Sequence, residues 1–107
     1  MRRRDETHRR LQAEIAGEKA AALGRAGEQL EAALREVAAC ATRLHAALDP
    51  AERGNHAEAY QHARARALQA RLRLLIQREA LGLRRHAVVD QQFPEPPPVA
   101  RLLDAAP

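Results

Sequence analysis

The chain has 107 residues, 46% of them hydrophobic, a formal net charge of +4 and a single cysteine. That length sets one domain at most, one thiol excludes an internal disulfide, and no run approaches the roughly 20 apolar residues of a membrane span. Tyr60 and Phe93 are the only aromatics, and serine and tryptophan are absent. Strand formers are therefore scarce, while Ala, Leu, Arg, Glu and Gln favour helix, so composition alone points to an all-α chain.

The first helix is expected from about Asp5 to Leu48. At ~100° per residue, Leu11, Ile15, Ala22, Leu23, Ala26, Leu30, Ala33, Leu34, Val37, Ala41, Leu44 and Leu48 share one face. Glu14, Glu18, Arg25, Glu28, Arg35 and Arg43 lie on the other side. Such a helix is roughly 60 Å long, more than a compact monomer of this size uses. Gly17, Gly24 and Gly27 each weaken it by about 1 kcal/mol relative to Ala. They read either as tolerated glycines or a kink, or as a side that another helix approaches closely.

A break follows at Leu48-Asp49-Pro50-Ala51-Glu52, where Asp49 suits an N-cap, Pro50 the first helical turn and Glu52 the capping-box position. Asn55-His56-Ala57-Glu58 offers a second cap, so the next helix starts at Pro50 or at His56. Either start leaves a short connection and hence an antiparallel neighbour.

The second helix is expected to run to about His86 with two adjoining apolar sides. Ala65, Leu68, Leu72, Leu75, Glu79 and Gly82 form one, widened by Ile76 and Leu83; Tyr60, Ala63, Ala67, Leu74 and Leu81 form the other. Two sides imply two packing partners: the first helix, and either the C-terminal segment or a second subunit. Arg64, Arg71, Arg78 and Arg85 recur every seven residues, with Arg66 and Arg73 in parallel. Beyond His86, Pro94, Pro96, Pro97 and Pro98 forbid a continuous helix. Val99 to Leu103 can form a short one, with Val89, Phe93, Val99, Leu102 and Leu103 folding back onto the hairpin. The division is thus a helical hairpin over residues 1–86 and a proline-rich extended segment with a short terminal helix over 87–107.

Charge is uneven: residues 1–48 carry +2, residues 49–86 carry +4 and residues 87–107 carry −2. Between Gln61 and His86 stand seven Arg and one Glu. Such a helix can neutralise phosphates, so nucleic-acid contact through Arg64, Arg66, Arg71, Arg73, Arg78, Arg84 and Arg85 is the alternative reading. No helix-turn-helix, zinc or stacking signature accompanies it, and arginine also covers apolar surface and pairs with Glu from neighbouring helices. The packing reading is therefore preferred.

Lys19 and Glu79 each sit within an apolar stripe. In an antiparallel hairpin closed near residue 50 they come opposite one another, and a charge in that setting needs a partner. A partly buried Lys19–Glu79 ion pair is expected, setting register more than stability. Nucleophilic catalysis lacks candidates: there is no serine, and Cys40 lies in an Ala-rich run where it packs as a small hydrophobe. Glu58, His62 and His56 fall short of the three or four convergent ligands of a zinc site. No metal, cofactor or catalytic residue is expected. The N-terminal arginines have no apolar run behind them, so no signal peptide is expected and the default location is cytoplasmic.

The segments Ala13-Glu14-Ile15-Ala16-Gly17-Glu18-Lys19, Leu23-Gly24-Arg25-Ala26-Gly27 and Gln77-Arg78-Glu79-Ala80-Leu81-Gly82-Leu83, with Pro98-Val99-Ala100-Arg101-Leu102, resemble a small bacterial family of uncharacterised helical proteins. The resemblance implies a helical fold and no assigned activity, and the prolines from Pro94 to Pro98 are heavier than its pattern. Together these readings predict an all-α, long antiparallel helical hairpin with a short C-terminal helix. It is expected to assemble as a homodimeric four-helix bundle and to act as a non-enzymatic structural or protein-interaction module.

Overall fold

The computed structural model describes residues 2–104. Four helices follow in order: α1 (Arg2–Ala46), α2 (Pro50–Ala80), α3 (Ala87–Gln92) and α4 (Val99–Asp104). The long pair forms an antiparallel hairpin, and the molecule measures 74 × 22 × 14 Å. One helix sets the longest dimension, since 45 residues rise about 67 Å.

The hairpin turns where the sequence places the break. Asp49 stands at the N-cap with extended φ and ψ, its carboxylate accepts from the Glu52 amide at 3.1 Å, and Pro50 opens α2. The chain thus uses the first of the two possible starts. The far end of α2 differs from expectation. Gly82 adopts φ +83°, the Leu83 amide donates to the Arg78 carbonyl at 2.9 Å and the Gly82 amide to that of Glu79 at 2.9 Å. This paired closure is a glycine-terminated helix stop, and it ends α2 before residues 83–86.

Along α1 the buried side chains are Ala26, Leu30, Val37, Cys40, Leu44 and, just beyond the helix, Ala47. Steps of four and three place small residues at 26, 33, 40 and 47 and larger ones at 30, 37 and 44. On α2 the buried set is Tyr60, Ala63, Ala67, Ala70 and Leu74. The side of α2 that meets α1 is therefore the alanine-rich one, which lets the two backbones approach closely. The leucine stripe turns elsewhere: Leu68 and Leu75 are half-buried, while Leu72 and Ile76 are 57% and 53% exposed.

Residues 83–104 return as a strap along the groove beside α2. Val89 is buried with Ala26, Leu30, Ala70 and Leu74, and Phe93 packs on that cluster. Val99 and Leu102 pack on the second cluster, around Val37, Cys40 and Tyr60; Leu103 stays exposed. Residues 87–92 form a helical turn and a half where an extended run was expected, because the first proline comes only at Pro94.

Candidate functional site

The strap is held by the sevenfold arginines. Arg64 Nε donates to the Pro96 carbonyl at 2.9 Å. Arg71 Nη2 pairs with Asp90 and Nη1 lies 3.6 Å from Glu95, while its Nε is a buried N–H without a partner among the described residues. Arg78 donates to the Arg85 carbonyl at 2.8 Å and, through Nε, to His86 Nδ1 at 3.3 Å. With Nδ1 accepting, the His86 Nε2–H donates to Glu79 at 3.2 Å. Seven residues are about two helical turns, so the three guanidinium groups lie in a row facing the strap. Tyr60 completes the clasp: its ring is 1% exposed and its hydroxyl donates to the Pro97 carbonyl at 2.6 Å. Burial raises the Tyr60 pKa above its ordinary value, against a smaller downward pull from Arg64.

This arrangement divides the arginine set named from the sequence. Arg64, Arg71 and Arg78 are committed to the strap; Arg66, Arg73, Arg84 and Arg85 are exposed. The partners Asp90, Glu95 and the carbonyls of Pro96 and Pro97 are invisible to sequence reasoning, because none belongs to a periodic pattern. The only signals were the −2 charge of the tail against the basic helix and the arginine rhythm itself.

Lys19 and Glu79 do not pair. Both are exposed; Lys19 Nζ donates to the Ala80 carbonyl at 3.4 Å, and Glu79 takes His86. The register was right to within a residue. The face was not: Glu79 lies on the exposed side of α2 with Leu72 and Ile76. Lys19 instead meets the carbonyl-rich end of α2, a favourable place for a cation.

Cys40 is buried, donating from Sγ to Glu36 at 3.5 Å and accepting from Arg43 at 3.7 Å. Burial and then Glu36 raise its pKa, while Arg43 and Arg66 pull it down. Among the described residues no three His, Cys, Asp or Glu side chains gather as a metal site, and no helix is long and apolar enough to cross a membrane.

Two surfaces remain. Residues 2–21 of α1 are exposed throughout: the helix continues past the end of α2 as an overhang bearing Leu11, 53% exposed, and Ile15. Where the overhang leaves α2, Gln12, Ile15, Ala16, Lys19, Ala80 and Leu81 line an open cleft of about 460 Å³. The second surface is the outer side of α2, around Leu72 and Ile76. Neither surface gathers the convergent polar groups of a reaction centre. No known protein family, curated protein or solved structure matches the chain. The likeness of residues 13–19, 23–27 and 77–83 to a bacterial family therefore carries no functional argument.

Proposed function

We infer that this chain is a non-enzymatic, cytoplasmic protein-interaction module that self-associates through helix packing. The observation carrying this reading is the pair of unpartnered apolar surfaces on rigid helices, Leu11 with Ile15 on the overhang and Leu72 with Ile76 on α2. Large apolar side chains left together on helices already amphipathic on that side mark contact surfaces. A long helix that extends past its hairpin partner also gains little from its own fold, since its turns beyond α2 are exposed and helical stability comes mostly from packing. Arg64, Arg71 and Arg78 hold the strap, leaving Arg66, Arg73, Arg84 and Arg85 for any phosphate contact. That weakens the case for a nucleic-acid partner, which a salt-dependent gel shift tests independently.

Size-exclusion chromatography with light scattering checks the reading. The wild-type chain should elute at twice its 11.8 kDa mass and dissociate on dilution, and Leu72→Asp with Ile76→Asp should run as a folded monomer. A wild-type monomer at every concentration removes the proposal.

A further inference from the structure

The two apolar surfaces match each other in spacing and in charge. Leu11 and Ile15 stand one helical turn apart, as do Leu72 and Ile76. On the overhang, Glu14 and Glu18 flank the apolar pair; on α2, Arg66 and Arg73 flank the other pair. All four flanking groups are exposed, and none has an ion-pair partner among the described residues. Stripe against stripe with opposite charges alongside is how helices choose partner and orientation.

We propose that the overhang of each α1 occupies the outer face of α2 in a second copy, reciprocally, about a two-fold axis. This rests on the self-association reading above and names its contacts. Because α1 and α2 are antiparallel within a protomer, a two-fold axis across the rods sets each overhang parallel to the partner's α2. In that orientation Leu11 meets the partner's Leu72, Ile15 meets the partner's Ile76, and Glu14 comes level with the partner's Arg73 to within about 3 Å along the axis, while Glu18 and the partner's Arg66 lie beyond opposite ends of the apolar contact. The interface is isologous, each surface used once by each copy, so it closes at two and leaves no sticky end. The inequality of the helices then has a cause: α1 is 45 residues against 31 for α2 because it spans its own α2 and the partner's in turn.

Alternative pairings fit less well. Two overhangs together bring only two large apolar side chains from each copy. Two outer faces of α2 packed antiparallel bring Arg73 beside its own copy, a like-charge juxtaposition that disfavours the contact.

Disulfide trapping tests the register. Leu11→Cys and Leu72→Cys are made as separate chains, each also carrying Cys40→Ala, with circular dichroism confirming the helical content of both. Both leucines are exposed, so the fold does not depend on them. Mixed under mild oxidation, the two chains should give a covalent heterodimer, while either alone gives none. Self-crosslinking of Leu11→Cys or of Leu72→Cys overturns the proposal in favour of like-on-like contact. No crosslink in the mixture, with a wild-type dimer by light scattering, overturns the register and leaves self-association standing; a wild-type monomer overturns both. In parallel, Arg73→Glu should weaken the dimer on the order of tenfold, and Glu14→Arg in the same chain should restore it. Equal dimer strength in all three chains contradicts the assigned charge contact.

Discussion

Tyr60 links the strap to the hairpin, and its chemistry makes that link testable. Its hydroxyl is donor to the Pro97 carbonyl, so Tyr60→Phe should lower stability by about 1 kcal/mol, read from urea unfolding. Alkali acts on the same bond. Burial raises the Tyr60 pKa above its ordinary 10.0, so the folded chain holds the phenolic proton more tightly than the unfolded one. That contribution is complete below about pH 10 and is lost as pH rises through the folded-state value. Cys40 acts with the same sign from its ordinary 9.0, with burial its leading cause. The stability of the wild-type chain should fall across this window, and Tyr60→Phe with Cys40→Ala should flatten the fall. Because the chain has one tyrosine and no tryptophan, near-ultraviolet absorbance follows the tyrosinate directly. An equally steep fall in the double variant would assign the alkaline loss to other groups.

At the level of elements, glycine behaves in opposite ways in the two long helices. Gly82 sits at φ +83°, where a side chain is penalised, so Gly82→Ala should destabilise by about 1–2 kcal/mol. In α1 a Cβ added at Gly24 meets nothing within 4 Å, and Gly24→Ala should stabilise by about 0.5–1 kcal/mol. Thermal unfolding of the two variants should move in opposite directions; a loss at Gly24 would show that another helix approaches it after all. The same elements show how far the sequence could be read. The hairpin turn was legible because Asp49, Pro50 and Glu52 carry local chemistry, although Asn55 and His56 offered a second start that the chain does not use; α1, expected from about Asp5, already runs from Arg2. The buried side of α2 was legible as the stripe of Tyr60, Ala63, Ala67 and Leu74; which of the two apolar sides meets α1 was not, since alanine contributes little to an apolar pattern and the leucines at 68, 72 and 75 outweighed it. The stop at Gly82 was missed for a related reason: a glycine inside a periodic stripe reads as one more small residue. Lys19 and Glu79 then fell on different faces, and the ion pair drawn from them followed the wrong stripe. The arginine row was visible, but its purpose depends on a tail with no period of its own.

On the scale of the whole molecule, the hairpin core is thin. Leu30, Leu44 and Tyr60 are the largest fully buried side chains, each of the leucines contributing about 1.5–3 kcal/mol. The strap thickens this core along one groove, and Arg71 anchors its middle. Arg71→Ala should therefore loosen residues 87–98 before the hairpin itself, seen as faster amide exchange at Val89 and Phe93 with the α1 core unchanged; uniform loosening would mean that strap and hairpin unfold as one unit. Beyond the strap, the exposed turns of α1 and the outer side of α2 give the chain surfaces that its own fold does not use. Small-angle X-ray scattering tests this central claim most directly, because it reports mass and length together. Reciprocal packing of two copies predicts a particle of twice the chain mass, about 11.8 kDa each, and a rod of roughly 90 Å at ~1.5 Å per residue. Scattering from a single chain no longer than 74 Å at all accessible concentrations would contradict it.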